Sequence, residues 1–100
     1  MVKIIILNQN NVFREFNLYD QQIVIGSGSL GIRIPDPKNL DETHCEIYFD
    51  NSDKNYKLKK ITSNQIYVND NLISLPEPLG KESIVKFNNS NYSLKIIISE

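Results

Sequence analysis

The chain is a succession of short β-branched and aromatic runs, each stopped by Asn, Asp, Gly or Pro before it can lengthen. Val, Ile, Tyr, Phe and Thr fit a pleated, half-buried surface, and such runs bounded by turn residues read as strands. Strands are expected at residues 2–8, 12–18, 22–26, 32–34, 45–50, 56–60, 66–68, 84–87 and 92–98. Between them lie Gln9-Asn10-Asn11, Asn51-Ser52-Asp53, Asn69-Asp70-Asn71 and Asn88-Asn89-Ser90-Asn91. Asn and Asp tolerate left-handed backbone and bond their own main chain, so these clusters mark hairpins. No stretch repeats its apolar residues at a helical period. The pattern predicts an all-β sandwich of about ten or eleven short, mostly antiparallel strands in two sheets.

Alternation within the runs assigns faces, because successive side chains of a strand point to opposite sides. Cys45, Ile47 and Phe49 share one face, with Glu46, Tyr48 and Asp50 on the other. Tyr56, Leu58 and Lys60 oppose Lys57, Lys59 and Ile61. The last run, Leu94-Lys95-Ile96-Ile97-Ile98, is nearly continuous in apolar residues and reads as a strand covered on both sides.

With 100 residues, the chain suffices for one hydrophobic core and is too short for two, so residues 1–100 are read as one domain. The apolar strand running straight into Ser99-Glu100 suggests the N-terminal part of a longer protein. Eleven Lys and Arg against twelve Asp and Glu leave a net charge of −1. A nucleic-acid partner, which calls for a clustered positive field, is not expected. Lys54, Lys57, Lys59 and Lys60 crowd one region, but alternation splits them between faces, as on a solvated strand edge. Cys45 is the only cysteine, which rules out an internal disulfide and points to a reducing, cytoplasmic setting. The apolar opening stops at Asn8 and no run approaches a membrane span, so no membrane contact by this domain is expected. It could still be the cytosolic domain of a membrane-associated protein.

Three blocks stand out: Ile25-Gly26-Ser27-Gly28-Ser29-Leu30-Gly31, then Glu42-Thr43-His44-Cys45-Glu46-Ile47, then Ser63-Asn64-Gln65-Ile66-Tyr67-Val68-Asn69. In this order, and followed by Leu79-Gly80-Lys81-Glu82-Ser83-Ile84-Val85-Lys86-Phe87, they resemble the forkhead-associated (FHA) domains, β-sandwich modules that read phosphothreonine. The resemblance spans about residues 3–98 and implies an FHA-like sandwich acting as a protein-interaction module. It implies peptide-binding positions at Ser27, Asp41, Glu42, Asn64 and Gln65, with Gly26 and His44 supporting the loops. Where the family has a phosphate-binding Arg after Ile-Gly, this chain has Ser27. Where the family has Ser, two residues before its His-preceding position, the chain has Asp41, followed by Glu42 in place of the usual Arg. Gln65 departs from Gly and Ile66 from Thr.

A phosphothreonine carries nearly two negative charges and three acceptor oxygens, and is best gripped by a guanidinium fork with hydroxyl and amide donors. Ser27 for Arg removes a charge, whereas Asp41 and Glu42 repel phosphate, each change being on the order of 1–3 kcal/mol. Phosphate dependence is therefore expected to be weak or lost, and the acidic loop to favour a basic partner surface. Arg33 and Lys38 are candidate substitute cations, although alternation points Arg33 to solvent. The run Gly26-Ser27-Gly28-Ser29 could form an anion-binding nest of main-chain N–H groups, but it lacks the Lys and helix of a nucleotide loop. A loop needing positive φ is the plainer reading. No catalytic residue, metal site or cofactor is expected, since there is a single histidine and its neighbour Cys45 points to the opposite face. Two alternatives stay open: a functional phosphothreonine-peptide reader in signalling, and a purely structural assembly domain such as the cytosolic part of a bacterial secretion system.

Overall fold

Residues 1–99 are described by a computed structural model, in which the alternating runs form eleven strands and no helix. They are β1 (Val2–Asn8), β2 (Asn11–Leu18), β3 (Gln22–Gly26), β4 (Ile32–Arg33), β5 (Cys45–Asp50), β6 (Asn55–Lys60), β7 (Ile66–Val68), β8 (Asn71–Leu72), β9 (Glu77–Pro78), β10 (Glu82–Phe87) and β11 (Tyr92–Ile98). One sheet has six strands in the order β2-β1-β11-β10-β7-β8, the other five in the order β4-β3-β5-β6-β9. Every pairing is antiparallel except β3 with β4, where Ile25 faces Ile32 and Gly26 faces Arg33.

Turn chemistry explains the hairpins. Gln9 and Asn10 (φ 51° and 69°) join β1 to β2, and Asn69 and Asp70 (φ 50° and 67°) join β7 to β8. Two consecutive left-handed residues match the right-handed twist of the strands they connect. Lys54 and Asn89 take the same conformation in the β5–β6 and β10–β11 connections. All four Asn/Asp clusters of the sequence therefore lie on hairpins.

The core forms where the inner faces meet. Val2, Ile4 and Ile6 of β1, Ile25 of β3, Cys45 and Ile47 of β5, Leu58 of β6 and Leu94 and Ile96 of β11 are fully buried. Truncating one of the larger aliphatic side chains to Ala would cost about 2–5 kcal/mol, through lost transfer energy and the cavity left behind. The faces expected for β5 and β6 are the observed ones, with Phe49 half-buried and packed edge-to-face on Tyr56.

Two expectations need correction. The outer face of β11 is not covered: Lys95 and Ile97 are half-buried, and Lys95 pairs with Glu82 at 3.0 Å. Residues 71–72 and 77–78, outside the expected strands, form β8 and β9, two-residue edge strands too short to show alternation. Pro78 fits such an edge because it has no N–H to offer a further strand. The long open edge of β2 is interrupted by a register shift opposite Ile6 and Leu7 and carries Arg14 and Glu15, which discourages edge pairing. Among the described residues, no helix is long and apolar enough to cross a membrane.

Candidate functional site

β3 ends at Gly26, β5 begins at Cys45, β6 ends at Lys60 and β7 begins at Ile66, so the connections 27–31, 34–44 and 61–65 gather at one end of the sandwich. The β5–β6 hairpin lies at the other end. This is the tip on which the sequence places its candidate residues.

His44 is the hub. Its side chain is buried at 1% exposure and packs edge-to-face on Phe87, with ring centroids 5.2 Å apart. Its N–H donates to the Ile25 carbonyl at 2.9 Å, while its own carbonyl accepts the N–H groups of Ile61 (3.1 Å) and Thr62 (2.9 Å). The Asp41 N–H donates to Nδ1 at 3.0 Å, which assigns the ring proton to Nε2 and makes the imidazole neutral. Nε2 is buried without a partner among the described residues. Burial depresses the His44 pKa below 6.5; Lys60 pushes the same way and Asp41 opposes. A neutral, buried ring bonded to main chain is built to hold loops.

Gly26 is shaped by close approach rather than by positive φ. A Cβ there would lie 2.1 Å from the Glu42 carbonyl oxygen, so the 41–43 backbone can rest on β3 only over a glycine. The need for positive φ expected of this loop falls on Gly31 (φ 87°). Ser27 is nearly buried; its N–H donates to the Asp41 carbonyl at 2.9 Å and its hydroxyl to the Leu40 carbonyl at 2.8 Å. The Gly28 N–H donates to the Glu42 carbonyl at 3.1 Å. These amides stitch two loops together and are not free to form an anion nest.

Asp41 is exposed, but one of its carboxylate oxygens accepts the Thr62 hydroxyl proton at 2.6 Å. The Thr62 oxygen in turn accepts the Asn64 N–H at 3.1 Å. This charge-assisted bridge links the second loop to the third. Glu42 and Asn64 are exposed, and the Asn64 amide has no side-chain partner among the described residues. Gln65 is exposed and its Oε1 accepts the Tyr67 hydroxyl at 3.2 Å. Gly28, Ser29, Leu30, Glu42 and Thr43 line a shallow depression of about 120 Å³. Leu30 stands 71% exposed beside it.

Arg33 does not simply project into solvent. It is exposed, yet its Nε–H donates to the Ser27 carbonyl at 3.2 Å, so the guanidinium lies against the first loop. Thr62 is a site-building residue not among the sequence candidates, and Arg33, a candidate substitute cation expected to point to solvent, instead leans on the first loop. A hydroxyl two positions before Asn64 was the available signal for Thr62, since Ser and Thr commonly cap their own turns. Among the described residues no cluster of His, Cys, Asp and Glu could hold a metal ion.

Two sheets, with three laced loops at one end braced by a buried histidine, define a β-sandwich whose tip is a single loop-built surface. The family profile described as FHA domain matches residues 23–88, and the chain belongs to that family, whose members are protein-interaction modules. Solved structures agree on the fold. The FHA domain of CT664 from Chlamydia trachomatis superposes with a TM-score of 0.80 at 17% identity, covering 99% of this chain and 98% of that one. The N-terminal FHA domain of Rad53p from S. cerevisiae, solved with a phosphothreonine peptide, gives 0.82 at 14% identity over 98% and 93%. The FhaA FHA domain, solved in complex with the intracellular domain of Rv3910, gives 0.77 at 18% over 96% and 99%. Comparison with curated protein sequences found no match.

Proposed function

We propose that this FHA domain docks a protein partner through its three-loop tip without requiring phosphate, and that the partner surface is basic. The observation that carries this reading is the fate of the two phosphate-gripping positions. Ser27 replaces the cation and turns its hydroxyl inward to Leu40; Asp41 replaces the hydroxyl with a carboxylate fixed by Thr62. A phosphate entering the tip would meet Asp41 and Glu42, a repulsion on the order of several kcal/mol if water is excluded. Asn64, Gln65 and Glu42 face outward and remain available to a peptide, while Gly26 and His44 hold the loops and Ser27 and Asp41 brace them. A cytosolic setting agrees with one buried, unpaired cysteine. Membership of a secretion assembly rests on family analogy alone.

Calorimetric titration with a phosphothreonine peptide library and its unphosphorylated twin tests the proposal. The expected result is no phosphate selectivity in the native domain, and its appearance in a Ser27→Arg/Asp41→Ser double variant. Consistent micromolar, phosphate-selective binding by the native domain would overturn it. A second reading, a working phosphothreonine reader, draws on Arg33, whose guanidinium lies beside Ser27. That reading requires phosphate-selective binding that Arg33→Ala abolishes.

A further inference from the structure

At the end opposite the tip, the β5–β6 hairpin, the β9–β10 connection and the paired ends of β1 and β11 enclose a groove of about 880 Å³. Phe49, Tyr56, Leu79 and Ile98 give it an apolar lining, stiffened by the edge-to-face contact of the two aromatic rings. Lys54 and Lys81 also line it; both are exposed and neither joins an ion pair among the described residues. No carboxylate lines the groove among those residues. Of the described acidic side chains adjacent in sequence to its lining, Asp50 and Asp53 are committed to Lys57 and Glu82 to Lys95. The Met1 ammonium lies in the same wall, donating to the Ser99 carbonyl at 2.6 Å. Asn55 adds a buried Oδ1 that receives no donor from the described residues. Among the described residues, the groove thus sets two lysines without ion-pair partners around apolar carbon.

We propose that this groove is a second docking site, one that takes an acidic peptide segment of a partner protein with an aromatic or aliphatic anchor between its carboxylates. The apolar lining selects a side chain rather than a bare anion. Two lysines are point charges that suit separate carboxylates and lack arginine's planar fork for phosphate. The volume falls in the range of pockets that enclose a bulky anchor.

The test is fluorescence anisotropy with a fluorescein-labelled oligoglutamate peptide containing one central phenylalanine, beside an all-glutamate and an oligolysine control. The phenylalanine peptide is expected to bind best, to weaken with added salt, and to lose about tenfold in affinity on Lys54→Glu or Lys81→Glu. Lys59→Glu makes the same charge change on the outer face of β6 and is expected to leave binding intact. Absence of binding, or equal losses in all three variants, would overturn the proposal. So would concentration-dependent self-association in sedimentation that Lys54→Glu removes, because the groove's occupant would then be a second copy. The phosphate-free docking proposed for the tip stands or falls separately, since none of these substitutions touches its loops.

Discussion

At the scale of single residues, His44 makes acid sensitivity a property of the tip. Its folded pKa lies below 6.5, so the unfolded chain binds the proton more readily. Its contribution is complete above that value and declines as the pH falls through it toward the depressed folded pKa. Protonation puts a hydrogen on Nδ1, where the Asp41 N–H already points, and breaks the bond that holds the second loop. Urea unfolding at about pH 7 and about pH 5 should show a stability loss in the native domain that is smaller in His44→Gln. Cys45 behaves oppositely to a reactive thiol. Burial without a stabilising charge pushes its pKa up to about 12, and its side chain is inaccessible. Iodoacetamide followed by mass spectrometry should leave the native domain unmodified and label it once urea unfolds it.

At the scale of elements, the long strands were legible and the short ones were not. Cys45 through Asp50 alternate cleanly because one face of β5 meets the core, and Asn69-Asp70 reads as a hairpin because its backbone needs φ values those residues tolerate. β8 and β9 have two residues each, and their pairing depends on neighbours distant in sequence. The site follows the same division. The loop-supporting Gly26 and His44 were legible as pattern, whereas the hydrogen bond from Thr62 to Asp41 spans 21 positions and exists only once the loops meet. Arg33 eluded the alternation argument because β4 ends there and the chain turns past the first loop. Amide hydrogen exchange should follow the layering: slowest in β1, β11, β10 and β5, which pair on both edges, and fastest in β2, β8 and β9, which pair on one.

At the scale of the whole molecule, the loop tip and the groove lie at opposite ends of the sandwich. Asp41 and Glu42 face outward at the tip, and Lys54 and Lys81 at the groove. The first and last strands lie side by side in the middle of the six-stranded sheet, with Val2 opposite Ile98 and the Met1 ammonium on the Ser99 carbonyl. Tension applied through those two positions would peel the strands apart pair by pair, starting from Val2 and Ile98, instead of shearing many bonds together. Force spectroscopy pulling on residues 1 and 99 should therefore record rupture at lower force than pulling between residues 8 and 98, which loads the same ladder along its length. Any mechanical load carried by neighbouring segments would open this domain at its seam long before disturbing the end that carries His44.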